Sequence, residues 1–179
     1  MKNIISKELE DKIKKIKLVI LDVDGVLTDG KIIYSSFGDD IKEFDVKDGF
    51  GITLLHRAGI NSIILTARFS KSIKRRAKDM HITEVYQNAF DKLVVYNKIL
   101  RKFKISDDEV CFIGDDMVDL PVLRRVGFSV CTCCSIDEVK NEVDYITKKA
   151  AGQGAVRELA DLILKIQGKW QKVTKDYYK

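Results

Sequence analysis

The strongest constraint on how this chain folds is an alternation. Five short runs, "KLVILDV" (17–23), "NSIILTA" (61–67), "TEVYQ" (83–87), "EVCFIGD" (109–115) and "FSVCT" (128–132), read as strands too uniformly apolar to expose one wet face, as parallel strands covered on both sides must be. Between them lie "DGFGITLLHRAG" (48–59), "SKSIKRRAKDM" (70–80), "DKLVVYNKILRKF" (91–103) and "VDLPVLRRV" (118–126), each with apolar residues at helical spacing. Strands alternating with helices predict an α/β fold, a doubly wound parallel sheet with right-handed crossovers. Gly59 and Gly127 are the expected left-handed ends of two helices, and Pro121 sits where the first turn of a helix loses no amide bond. Residues 31–46, "KIIYSSFGDDIKEFDV", break the alternation and read as a β-hairpin turning around "FGDD".

At 179 residues the chain can bury one full core but not two, so a single domain over 1–179 is expected. The excess of 32 basic over 27 acidic residues is concentrated at the ends, and without a basic stripe or interleaved stacking residues it reads as solvated terminal helices, not as nucleic-acid binding. No run of 18 apolar residues exists, and the first twenty residues carry acids and lysines instead of an apolar signal core, so no membrane segment and a cytoplasmic location are expected. Four cysteines fit a reducing compartment. Cys131, Cys133 and Cys134 cluster without a second Cys or His group at zinc spacing, which favours structural thiols over a metal site. His56 and His81 read as structural or surface residues.

In such a sheet, ligands bind at the carboxyl ends of the strands. Those ends carry Asp22 and Asp24, then Thr66 and Arg68, then Asp115 and Asp116, while Lys92 opens the helix between the last two sets. Helix capping explains an Asp91 or a Ser106 but not acids crowded at the ends of strands this apolar. Carboxylates this close repel unless a cation neutralises them, and hard oxygen ligands suit Mg²⁺.

In order and spacing, "DVDGV", "LTAR", the lysine of "DKL" and "GDDMVD" resemble the four motifs of the haloacid dehalogenase superfamily of aspartate-nucleophile phosphatases. "FDVKDGFGI", "DDMVDLPVL" and "GQGAVRELADLIL" are similar to the branch that acts on phosphates of 2-keto sugar acids, and the likeness spans roughly residues 16–168. It implies Asp22 as nucleophile, Asp24 as general acid/base, and Thr66 and Lys92 on the phosphoryl oxygens. Asp22, Asp115 and the backbone carbonyl of Asp24 would hold magnesium, with Asp116 and Asp119 orienting that shell. Substrate contacts are implied for Asp24, Asp45, Val46, Lys47, Asp48, Gly49, Arg68, Arg76 and Lys92. The expected substrate is 3-deoxy-D-manno-octulosonate 8-phosphate, on the way to a lipopolysaccharide sugar; a nine-carbon nonulosonate 9-phosphate and a non-catalytic sugar-phosphate-binding module are the alternatives. Ala67 in "TAR", Thr53 and Gln153 depart from the branch's usual residues.

The hairpin is too small to act as a cap domain. The resemblance implies instead a homotetramer joined through it, with the glycine-rich tail near 150–154 extending toward a neighbour ahead of a C-terminal helix that ends near 168. A receiver domain also combines an acidic pair, a Thr and a Lys, but not in the chain order seen here.

Overall fold

The computed structural model describes residues 5–36 and 40–179. Six strands, β1 (Leu18–Leu21), β4 (Asn61–Leu65), β5 (Glu84–Tyr86), β6 (Val110–Gly114), β7 (Phe128–Cys131) and β8 (Tyr145–Ile146), form one sheet in the order β5-β4-β1-β6-β7-β8. Every neighbouring pair is parallel. All of β1 and β6 is buried. Alternate side chains enter different cores: Val19, Leu21, Ile64, Cys111 and Ile113 point to one face, and Leu18, Ile20, Ile63, Leu65 and Phe112 to the other. The period of two makes the two-sided burial read as a continuous apolar run.

Helices α1 (Lys7–Lys14), α2 (Val46–Arg57), α3 (Lys71–Asp79) and α7 (Ala155–Ile166) cover the first face through Ile13, Ile52, Leu55, Ile73, Val156 and Ile163. Helices α4 (Lys92–Phe103) and α5 (Leu120–Leu123) cover the second through Tyr96, Ile99, Val122 and Leu123. The fold is therefore doubly wound, as expected.

Some elements differ from their sequence patterns. The sixth strand, β8, is only two residues long and follows the four-residue helix α6 (Asp137–Lys140), so it carries no periodic signal of its own. The pattern at 118–126 condenses into a 3₁₀ turn at Met117–Asp119 and the short α5, with Pro121 in its first turn. Gly59 has φ +76°, as a left-handed helix end requires. Gly127 does not; a Cβ there would lie 2.5 Å from Asp108 Cα, so close packing explains this glycine. The hairpin is present as the antiparallel pair β2 (Ile33–Tyr34) and β3 (Asp40–Ile41), while most of its expected turn, residues 37–39, lies outside the described residues.

The tail folds back on its own chain and does not extend. Gly152 N–H donates to the Val26 carbonyl at 3.0 Å, and at φ +65° its Cα faces Thr28 and Asp29 so closely that a Cβ would come within 2.8 Å of both. After Gly168, helix α8 (Trp170–Thr174) and a final 3₁₀ turn return to α2, where Tyr177 packs edge-on against Phe50 and accepts a 2.6 Å hydrogen bond from Arg57.

Candidate active site

The chain leaves β1 for the β4 side of the sheet and returns to β6 on the other flank of β1, so the strand order reverses between β1 and β6. At such a switch point the loops diverge and open a crevice. Asp22 follows β1 and Asp115 follows β6, with the two strands in direct register, and Asp22 N–H donates to the Ile113 carbonyl at 3.1 Å. A pocket of about 250 Å³ opens here, lined by Asp22, Asp24, Thr66, Arg68, Lys92, Asp115 and Asp116, with Gly30, Ala67 and Val118 at its walls. Residues from four loops thus meet at one place.

At its floor is a buried triad. Lys92 stands at the first turn of α4, after the N-cap Asp91, with its side chain 1% exposed. Its ammonium lies 3.0 Å from Asp22 Oδ2 and donates to Asp119 Oδ1 at 2.6 Å. Asp119 Oδ2 accepts from the backbone N–H groups of Asp115 (2.9 Å) and Asp116 (3.3 Å). Asp119 thereby ties Lys92 to the loop that carries Asp115. Burial works against the Lys92 charge, but Asp22 and Asp119 outweigh it and raise its pKa.

The carboxylates are less well served. Burial raises the pKa of Asp22, Lys92 opposing and Asp119 adding to the rise. Burial likewise pushes Asp115 up to about 8, helped by the charges of Asp22, Asp119 and Asp116 and opposed by Lys92. Oxygens of Asp22, Asp115 and Asp119 lie within 4.8 Å of one another. Both oxygens of Asp119 are already engaged and Asp22 shares the one lysine with it, so among the described residues the carboxylates of Asp22 and Asp115 are not fully neutralised. An all-oxygen set with two carboxylates penalised for ionising fits a hard divalent cation such as magnesium. Gly25 makes room for the Asp115 carboxylate: at φ +80° its Cα faces Asp115, and a Cβ would fall 1.9 Å from Asp115 Oδ2.

Thr66 is buried, its hydroxyl 3.4 Å from the Arg68 N–H and its backbone fixed between Tyr86 and Ala89. Arg68 is exposed and places Nε 3.7 Å from Asp24 Oδ2. The other oxygen of Asp24 is held by Lys42, a residue that sequence reasoning missed. Lys42 follows β3, and its side chain is 1% exposed although neighbouring Ile41 is 48% exposed. A lysine in a short hairpin has the pattern of a solvated charge; only the alternation with Ile41 hints that it turns inward.

The remaining expected contacts gather elsewhere, at the start of α2. Asp45 caps that helix, accepting from Lys47 N–H at 2.7 Å, and its carbonyl accepts from Arg76 Nη2 at 2.8 Å. Asp48 is buried against α7, where Oδ1 accepts from Arg157 N–H at 2.7 Å. Gly49 lies under Arg76, and a Cβ would come 2.7 Å from Arg76 Nη2. Val46 is exposed, and Lys47 lines a separate cleft with Gln153 and Arg157. Cys111 and Cys131 are buried, whereas Cys133 and Cys134 are exposed with their sulfurs 4.0 Å apart.

A family model described as haloacid dehalogenase-like hydrolase matches residues 62–159. The 3-deoxy-D-manno-octulosonate 8-phosphate phosphatase of Escherichia coli K12 is 39% identical over 165 residues, 92% of this chain and 88% of that one. The crystal structure of the phosphatase of that name from Yersinia pestis superposes with a TM-score of 0.89 at 39% identity, covering 91% of this chain and 88% of its own. The one from Moraxella catarrhalis, solved with a magnesium ion, a phosphate ion and a KDO molecule, gives a TM-score of 0.92 at 39% identity, covering 95% and 98%. With the carboxylates, threonine and lysine of the four motifs converging on one pocket, and with likeness of this extent in both sequence and fold, the chain belongs to the haloacid dehalogenase-like hydrolases, among the relatives of 3-deoxy-D-manno-octulosonate 8-phosphate phosphatase.

Proposed function

We infer that this chain is a magnesium-dependent phosphatase that hydrolyses the phosphate monoester of 3-deoxy-D-manno-octulosonate 8-phosphate through an aspartyl-phosphate on Asp22. The observation that carries the reading is the clamp on Asp22: a carboxylate at the sheet's switch point, 3.0 Å from a buried lysine and facing an open pocket. Lys92 keeps one oxygen in place, so attack needs little reorganisation.

An oxygen of Asp22 attacks phosphorus, and the bond from phosphorus to the sugar oxygen breaks. Asp24 gives its proton to the departing alkoxide, then takes one from the water that attacks the aspartyl-phosphate. Inorganic phosphate leaves and Asp22 is regenerated. Such proton transfer contributes about 10²–10⁴-fold. The Thr66 hydroxyl and the Lys92 ammonium hold the phosphoryl oxygens, and Lys92 offsets the repulsion between nucleophile and phosphate. Magnesium, when bound by Asp22, Asp115 and the Asp24 carbonyl, supplies charge neutralisation that lets an anionic nucleophile approach an anionic phosphate. Asp119, both of whose oxygens are engaged, orients Lys92 and the Asp115 loop, and Asp116 stands beside it.

Arg68 stands at the pocket mouth, suited to a bidentate contact with the sugar acid's carboxylate. Thr53, one of the departures from the branch pattern, turns its hydroxyl back to the Gly49 carbonyl at 3.1 Å. Assembly as a homotetramer through the hairpin is supported by the exposed apolar side chains of Ile32, Ile33, Tyr34 and Ile41. Such an assembly would cover a site that lacks a cap domain of its own. A single phosphatase domain located in the cytoplasm completes the reading, supported by the continuous six-stranded sheet and four free cysteines; among the described residues no helix is long and apolar enough to cross a membrane. Phosphate release measured across a panel of sugar phosphates, with magnesium and with chelator, tests it. Highest kcat/KM on the eight-carbon keto acid phosphate, lost with chelator, is expected; preference for a nonulosonate 9-phosphate, or no turnover at all, overturns it.

A further inference from the structure

We propose that Lys42 is a positioning residue for the reaction, holding one oxygen of Asp24 so that the other exchanges the proton with the leaving group. This rests on the reading of Asp24 as general acid/base.

The hairpin around Lys42 is inverted relative to an ordinary edge. Exposed short strands normally send lysines to solvent and turn apolar residues inward. Here Ile33, Tyr34 and Ile41 face out, and the Lys42 side chain is 1% exposed. Burying an ammonium beside a carboxylate is a poor route to stability, because the desolvation of both ions offsets their attraction. A buried lysine just after a two-residue strand is therefore better explained by what it holds.

It holds Asp24 from an ordered base. Lys42 Nζ donates to Asp24 Oδ1 and lies 3.8 Å from Asp40 Oδ2. Asp40 in turn accepts from Ser70 Oγ at 2.8 Å through its side chain and from Ser72 Oγ at 3.2 Å through its carbonyl. Ser70 caps α3, and its N–H donates to Gln87 Oε1 at 2.6 Å. The chain of contacts runs from Asp24 through the hairpin to the loop that carries Thr66 and Arg68. Asp24 Oδ2, by contrast, is buried with no hydrogen-bond partner among the described residues, and Arg68 Nε at 3.7 Å is too distant to be one. One oxygen is pinned and the other is left for proton transfer. The two lysines thus divide the two acids, Lys92 serving Asp22 and Lys42 serving Asp24. With its side chain buried against Asp24, Lys42 acts through that carboxylate and not on substrate.

The test uses the leaving group. An alkyl phosphate needs a proton on its departing oxygen, whereas 4-nitrophenolate leaves without one, and kcat/KM reports the steps up to that departure. In the full-length enzyme with magnesium, Lys42→Met keeps the side chain's length and removes its charge. It is expected to lower kcat/KM about 10–100-fold on alkyl phosphates, within the range by which a misplaced general acid loses its contribution. On 4-nitrophenyl phosphate the change should stay under about threefold, and Lys42→Arg should recover most of the alkyl activity. Asp24→Asn should show the same leaving-group pattern with a larger loss. The alkyl arm is run with both the octulosonate phosphate and glycerol phosphate. If the substrate assignment is wrong, the wild type itself fails on the octulosonate phosphate while the glycerol phosphate comparison still reads Lys42. Equal losses on alkyl and aryl substrates, or no loss on either, overturn the proposal; the first would make Lys42 a structural ion pair only.

Discussion

Asp22 carries two demands that conflict in the absence of a cation. As the proposed nucleophile it must be ionised, yet burial favours its protonated form and Lys92 only partly compensates. Asp22→Asn removes the proposed nucleophile and the buried charge together. Turnover should fall to the floor of a phosphate-release assay, while melting in chelator should rise by a few degrees, as relief of about 1 kcal/mol would produce in a chain of this size. Magnesium should raise the melting temperature of the wild type and do so much less in the variant. Wild-type turnover in the variant would remove the covalent mechanism. Glycine matters at the same scale: Gly25 is required because any side chain would occupy the space of the Asp115 carboxylate. The motif "DVDGV" made the acids legible as a pair, but not that Asp119 would be wholly occupied with Lys92 and backbone amides.

Among the elements, the junction of α2 and α7 gives Asp48 its behaviour. Arg157 at the start of α7 donates its N–H to Asp48 Oδ1, but Oδ2 is buried without a hydrogen-bond partner among the described residues. Burial pushes this carboxyl up to about 6 from an ordinary 3.8, with the Arg157 N–H opposing the rise. The folded chain therefore keeps a proton between about pH 4 and pH 6 that the unfolded chain has already lost. Its contribution is full below pH 4 and is lost as pH rises through 6, by roughly 1–3 kcal/mol. Asp48→Asn should abolish that component: from pH 4 to pH 7 the stability difference between variant and wild type should move by this amount in the variant's favour, measured by urea unfolding. A constant difference would show that Asp48 titrates normally. The segment just before α7 is held by the loop after β1. Gly152 packs on Thr28 and Asp29, so a larger residue there tests packing within the subunit, and Gln153 is the position at which contact with a neighbour is tested cleanly.

At the scale of the molecule, the hairpin presents its apolar side outward, with Tyr34 71% exposed and Ile33 and Ile41 beside it. Replacing Ile33 and Tyr34 with serine should turn the proposed tetramer into smaller species in sedimentation velocity, with little change in melting of the isolated subunit, since neither side chain is buried in it. Because Lys42 links this hairpin to Asp24, the smaller species should also turn over alkyl phosphates more slowly. A tetramer that survives both changes would place the assembly surface elsewhere.

The sequence by itself determined the parallel α/β class and the strand ends that carry chemistry, because both are local. A run of alternating side chains buried on two faces is apolar throughout, and acids at its end have no structural reason to be there. Only the tertiary structure decided which charges meet. That β1 lies between β4 and β6, that Lys42 turns inward and that Asp48 faces α7 depend on contacts between distant segments, whose geometry no local pattern encodes. β8 shows the same limit, for two residues become a strand only because β7 offers an edge to pair with.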